Sequence, residues 1–353
     1  MDEQKLYEDL SRRLDKDVII GVPATPSGIA ILRELFSPEE AEIALTLPMQ
    51  QKTLADLKEL FPDKAESLGG ILDCMAKKGT VFTMQKPGRE RIYSLLPILV
   101  GFAETPYWAG KDTERARNLA PLWLKYREEA FGEELARGAP VVRVIPVAES
   151  IKDESQILPF DAIKEKLNDV SYMAVGHCPC RQIMKYNGNG CDHTTENCLH
   201  FGSMGRYIVE QGMARKITRE EALDILERAD EEGLVHTCDN LEGPISTICN
   251  CCSCCCVFLQ TRKTMGLHVL SPSSYLSQVD EDICIGCGTC EDRCPVDAIE
   301  VSDDDIAVVH GDLCIGCGVC TPTCPTGAIG LILREGVTPP PDVSEFLTLR
   351  YKA

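Results

Sequence analysis

Eight of the twenty cysteines in this 353-residue chain fall into two copies of one spacing. Cys284, Cys287, Cys290 and Cys294-Pro295 form a C-x-x-C-x-x-C-x-x-x-C-P run, and Cys314, Cys317, Cys320 and Cys324-Pro325 repeat it thirty residues later. A cubane iron-sulfur cluster needs four thiolates. Three closely spaced cysteines wrap one corner of it, and the fourth, before proline, reaches across to the other cluster. By that rule Cys324 completes the Cys284/Cys287/Cys290 set, and Cys294 completes the Cys314/Cys317/Cys320 set. The chemistry implied is one-electron transfer at two [4Fe-4S] clusters. Four-cysteine zinc sites usually pair two knuckles across a spacer, a division that two identical quartets do not show. Gly286, Gly288, Gly316 and Gly318 flank the second cysteine of each run. Without a Cβ, the backbone there can pass close to inorganic sulfide and turn its amides toward it.

The segment from about Val279 to Leu333 resembles the bacterial dicluster ferredoxin domain, and every ligand position of that family's motif is matched. The resemblance implies a small β-α-β repeat fold, two cubanes close enough for electron tunnelling, and a low potential. Such a domain is a wire and not a catalyst.

A second concentration lies between Gly176 and Cys256, where eleven cysteines stand outside those runs: Cys178, Cys180, Cys191, Cys198, Cys238, Cys249, Cys251, Cys252, Cys254, Cys255 and Cys256. All eleven are candidate metal ligands. Adjacent cysteines on a strand point to opposite faces, so the Cys249 to Cys256 run must coil tightly or serve two sites. Four thiolates per cubane would allow one or two further clusters, with a pairing that order alone does not give. Zinc bound by Cys178, Cys180, Cys191 and Cys198, or by His193 and His200, is the competing assignment. An iron with an open position is a third, and His177, Arg181 and His236 are its nearest polar candidates. The paired cysteines resemble the C-C-G modules of heterodisulfide-reductase-type proteins, but Ser253 and Cys256 stand where glycine would follow. Taken whole, the Gly176-His177-Cys178-Pro179-Cys180-Arg181 element, the cysteine run and the ferredoxin segment resemble a poorly characterised group of anaerobe iron-sulfur proteins.

Short elements must position these ligands. Val141 to Val147 reads as a strand, Phe160 to Leu167 as a helix, and Tyr172 to Val175 as the strand that delivers the first ligands. Thr218-Arg219-Glu220-Glu221 is a capping box for a helix with Leu223, Ile225, Leu226 and Ala229 on its apolar face, ended by Gly233. Toward the N-terminus, Ser37 caps a helix carrying Ala41, Ile43, Ala44 and Leu47, Thr53 starts a second through Leu60, and a third runs from about Lys64 to Lys78. Strands Val81–Met84 and Arg91–Leu95 then flank the turn Lys86-Pro87-Gly88-Arg89. Residues 25 to 97 resemble a winged helix-turn-helix domain. Cys74 has the core spacing of Ile71/Cys74/Met75 and is expected to be packed, not a ligand.

The fold class expected is therefore α+β and multidomain. It comprises a winged-helix-like domain (1–97), a helical linker (98–140), a small α/β Cys-rich metal-binding domain (141–278), a 2x[4Fe-4S] ferredoxin-like dicluster domain (279–333) and a Pro-rich tail (334–353). In the linker, Leu119, Leu122, Trp123 and Tyr126 form an apolar helix face. The tail either docks a partner or lies back over the ferredoxin domain.

Formal net charge is -19. Residues 1–140 carry 19 basic and 23 acidic side chains and residues 141–353 carry 17 and 32, so acidity concentrates in the metal-bearing part. That acidity either forms a solvated surface that keeps the protein soluble or steers it toward basic redox partners. In the N-terminal domain Lys64, Lys77 and Lys78 are offset by Asp63, Glu66 and Asp73, which favours docking over DNA binding. No G-x-G-x-x-G fingerprint is present, so a flavin is expected on a partner protein. The start, Met1-Asp2-Glu3-Gln4-Lys5, is no secretory signal, Arg12-Arg13 lacks a following apolar core, and no stretch has the length of a membrane span. A cytoplasmic, oligomeric electron-transfer protein or electron-transfer subunit of an anaerobic oxidoreductase is expected. The alternatives are an oxidoreductase acting at a central cluster and a redox-responsive winged-helix regulator.

Overall fold

The helix starts foreseen at Ser37 and Thr53 are closed by reciprocal capping boxes. The Glu40 amide donates to Ser37 Oγ at 3.3 Å while the Ser37 amide donates to Glu40 Oε2 at 2.8 Å. Thr53 and Asp56 repeat the pattern at 3.1 Å both ways. Each box satisfies two otherwise orphaned donors, which fixes where Pro38–Ala44 and Leu54–Leu60 begin. The computed structural model describes residues 2–17, 20–147, 150–151, 158 and 161–351. The chain divides into two units: Met1–Glu134, Ala174–Gly190 and Ser203–Lys216 in one, Leu135–Met173, Cys191–Gly202 and Ile217–Ala353 in the other.

In the first unit, helices Glu3–Asp17 and Pro26–Leu35 precede the two capped ones. A 3-10 turn at Pro62–Lys64 separates them from a helix Leu68–Lys78, which starts four residues later than expected. Strand Lys52–Thr53 pairs with Ile92–Tyr93, and Ile92–Leu95 pairs antiparallel with Val81–Met84. Cys74 is exposed, contrary to the expectation of burial. The face that Leu68–Lys78 buries holds Leu68, Leu72, Met75 and Ala76, and Cys74 lies roughly 100° beyond its edge. Helix Glu114–Tyr126 buries Leu119, Trp123 and Tyr126 and packs on Pro26–Leu35.

The second unit is built on four antiparallel strands in the order Val142–Ile145, Val235–Asp239, Thr247–Cys251, Glu196–Phe201. Register places Val235 opposite Cys251 and Cys238 opposite Ile248. Thr218 caps the helix Arg219–Glu231 by accepting from the Glu221 amide at 3.2 Å, and Gly233 leaves it in the left-handed region at φ +73. The helix expected from Phe160 begins outside the described residues; Ile163–Lys166 is helical and Leu167–Asp169 continues as a 3-10 turn. Two antiparallel pairs, Tyr275–Val279 with Ile329–Leu333 and Ile299–Val301 with Ala307–Val309, carry the C-terminal cysteine loops. The terminal helix Val343–Tyr351 packs on its own chain. Arg350 Nη1 donates to the Ala139 and Leu135 carbonyls at 3.0 and 3.3 Å, and Phe346 is buried. Among the described residues no helix is long and apolar enough to cross a membrane.

Candidate metal centres

The outer pair of strands delivers the first quartet. Cys284, Cys287, Cys290 and Cys324 together line one recess, walled otherwise by Val279, Ile285, Ala307 and Ile329. The cysteine before the second proline therefore stands with the first three-cysteine loop, as the crossing rule requires. Cys294 correspondingly sits within electrostatic reach of Cys314, Cys317 and Cys320. Four thiols around an apolar recess fit a cubane with one thiolate per iron.

Two loop glycines are required by the chain's own backbone. Gly286 and Gly316 hold φ of +60 and +67, and a Cβ there would lie 2.3 Å from the Asp305 carbonyl oxygen and 2.1 Å from that of Tyr275. Both the left-handed conformation and the contact with the chain's own backbone exclude a side chain.

The two quartets differ in burial. Cys287 is exposed, and the Thr289 hydroxyl beside it holds its thiol below the usual value. Burial works to raise Cys324, but hydrogen bonds from the Ile329 amide and from Thr326 outweigh it and leave that thiol lowered as well. Burial pushes Cys320 up to about 11 and raises Cys317 well above its ordinary value. Thiols that burial keeps protonated become ligands only when a metal's positive charge replaces the proton. Donors aimed at sulfur would stabilise that bound form: the Ala307 amide on Cys284 at 3.5 Å, the Ala298 amide on Cys294 at 3.2 Å and the Gly316 amide on Cys314 at 3.4 Å. Ser277 Oγ lies 3.4 Å from Cys320 Sγ. Sequence reasoning passed over these hydroxyls, although Thr289 and Thr326 each stand two residues after a cysteine and that repeat was a usable signal.

Among the eleven central cysteines, Cys191, Cys252, Cys254 and Cys255 converge, with all four Sγ atoms within 4.8 Å of one another. Cys255 Sγ is 3.6 Å from Cys191 and 3.7 Å from Cys254. The run coils as expected. Strand Thr247–Cys251 ends, residues 252 to 256 turn with the Cys256 amide returning to the Cys252 carbonyl at 3.1 Å, and Cys256 caps the helix Val257–Met265. Gln260 Nε2 pins the turn by donating to the Ser253 carbonyl. Burial, followed by contact with Cys252, pushes Cys254 up to about 12, and the contact with Cys252 raises Cys255 further still.

The other seven central cysteines are not among these four. Cys178 and Cys180 belong to the first unit at the start of the helix Pro179–Tyr186, where their thiols hydrogen-bond each other. His177 and Arg181 are in the first unit too. Cys198 and Cys238 are buried on strands, and burial pushes Cys238 up to about 12. Cys251 and Cys256 are core residues packed with Val144, Leu259, Ile315, Cys314 and Cys317, and Cys249 lies against the same cluster. His193 pairs with Glu232 at 3.2 Å. His200 is buried, which drops its pKa to about 3. His236 is held between Asp230 Oδ1 at 2.7 Å and Asn250 Oδ1 at 2.6 Å.

Comparison with known proteins agrees with the C-terminal geometry. The family described as 4Fe-4S dicluster domain matches residues 277–331. A protein named "Probable ferredoxin" from Methanosarcina thermophila is 50% identical over 34 residues, which is 10% of this chain and 59% of that relative's length. No solved structure matches the chain.

Proposed function

We propose that this chain is an electron-transfer protein, working as a subunit of an anaerobic oxidoreductase assembly and passing single electrons between a docked redox partner and its central cysteine region. The observation that carries this reading is the graded burial of the two quartets. Bound [4Fe-4S] clusters supply one-electron chemistry. The chain's own residues decide where that chemistry meets a partner. Cys287 is exposed, as are Ile283 and Ile285, the latter 60% exposed, and Asp280, Glu281, Asp282, Glu291 and Asp292, close to them in sequence, are exposed as well. Exposed apolar and acidic residues near a cluster ligand suit a basic redox protein. Cys314, Cys317 and Cys320 are buried, and Cys314 and Cys317 share their core with Cys251 and Cys256, which makes the central region the inner end of the path.

Iron and acid-labile sulfide analysis with EPR of the reduced, anaerobically purified chain tests this. About eight of each, with two interacting reduced clusters, is expected; the absence of labile sulfide would overturn it.

For the N-terminal domain we propose docking within the assembly, possible because its helices and three-stranded sheet order resemble a winged helix. Three of the cations that DNA binding would use are already paired: Lys64 with Glu39 at 2.9 Å, Lys78 with Glu40 at 2.7 Å and Arg91 with Asp73 at 3.1 Å. Phosphate attraction is correspondingly weak.

A further inference from the structure

We propose that Cys191, Cys252, Cys254 and Cys255 bind one tetrahedral divalent metal ion as a closed tetrathiolate, and that this centre is not a third cubane. The proposal rests on reading the central cysteines as metal ligands. It does not depend on the direction or the partners of the electron path.

Sulfur spacing carries the inference. A tetrahedral ion with metal–sulfur bonds of about 2.3 Å holds its sulfurs about 3.8 Å apart. The two contacts at Cys255, 3.6 and 3.7 Å, match that edge, and the full group closes within 4.8 Å. A cubane interposes four irons and four sulfides and needs its thiolate sulfurs about 6 Å apart. The first ferredoxin-type quartet instead lines a recess that it shares with Val279, Ile285, Ala307 and Ile329.

The backbone explains how two adjacent cysteines serve one ion. On a strand Cys254 and Cys255 would diverge, but both lie in the turn that the Cys256 amide closes onto the Cys252 carbonyl. Cys191 approaches from a separate segment, so the ion would clamp two stretches of chain 61 residues apart in sequence at their nearest ligands. Four protein thiolates fill a tetrahedral shell and leave no open position. One divalent ion entering displaces the four thiol protons and leaves a centre of net charge -2. Zinc and iron share this coordination chemistry. Zinc would make the centre a structural clamp. Iron would add a one-electron site beside the core that holds Cys251, Cys256, Cys314 and Cys317.

The experiment uses the full chain purified without oxygen. Zinc, iron and acid-labile sulfide are measured per chain in the wild type and in the Cys252→Ser/Cys255→Ser double variant. The expected wild-type result is one zinc or one iron beyond the cubane iron, with no sulfide beyond about eight. The double variant should lose that one ion and keep its sulfide. About twelve sulfides falling to about eight would mean a cubane at this site and would overturn the proposal. So would a wild type with no additional ion, or a double variant that retains it. Because the variant could fail to fold, the wild type is also read directly. X-ray absorption at the zinc edge should show four sulfurs at about 2.3 Å, or Mössbauer spectra of the iron-57 chain should show one mononuclear tetrathiolate iron apart from cubane iron. Sulfide far below eight with the additional ion present would sink the dicluster relay and leave this centre standing.

Discussion

Two cysteine-rich regions of one unit solve ligation differently. In the C-terminal region each three-cysteine loop borrows its fourth thiol from the other loop, and the first quartet lines a recess with apolar walls. In the central region three of four thiols come from one turn of four residues, and sulfurs meet at 3.6 and 3.7 Å. Ligands spread along spaced loops make room for a multinuclear cluster, while ligands crowded into a turn leave room for a single ion. Chain spacing thus sets the radius of the site, and the radius selects the metal chemistry.

The largest effect that would sharpen this contrast is expected from Cys317→Ala. It should remove the buried cluster, about four irons of the total, and lower the thermal midpoint, because Cys317 belongs to the core that also holds Val144, Leu259 and Ile315. Cys287→Ala at the exposed quartet should remove or convert its cluster with little loss of fold. Full iron content and an unchanged reduced EPR spectrum in either variant would show the ligand assignment to be wrong.

Next in size is the strained loop. Gly316→Ala meets both φ +67 and the Tyr275 carbonyl and should cost about 1–3 kcal/mol, read as a fall in denaturation midpoint. An unchanged midpoint would mean the loop relaxes freely.

Ser277→Ala removes a hydroxyl from Cys320 Sγ. Donors to thiolate favour the more negative, reduced cluster, so the buried cluster should become harder to reduce by roughly 20–60 mV, equivalent to one hydrogen bond of about 0.5–1.5 kcal/mol. Thr289→Val at exposed Cys287 should shift less, since water can replace its hydroxyl. Potentiometric titration that found the two shifts equal would break the distinction between buried and exposed quartets.

The smallest effect concerns Cys74. Its exposed thiol should accept a maleimide in the folded protein without release of iron, and Cys74→Ser should change stability by less than about 0.5 kcal/mol. Loss of metal on labelling would place Cys74 among the ligands after all.

Much of the candidate site was legible in residue order because it is local. The two repeated quartets, the capping boxes at Ser37 and Thr53 and the left-handed glycines follow from short-range spacing and backbone sterics, which act whatever surrounds them. Helical spacing misled at Cys74, since which side of a helix becomes the inner one depends on its neighbours. Residue order also did not reveal which four of eleven central cysteines meet. Cys191 stands 61 positions before Cys252, and Cys198 was an equally plausible companion until the turn at residues 252 to 256 aimed its thiols. Spacing along the chain can specify a ligand set only when the ligands share a loop. When they come from separate segments, packing of strands and turns brings the sulfurs together, and that packing is what distinguished the crowded tetrad from the open quartet.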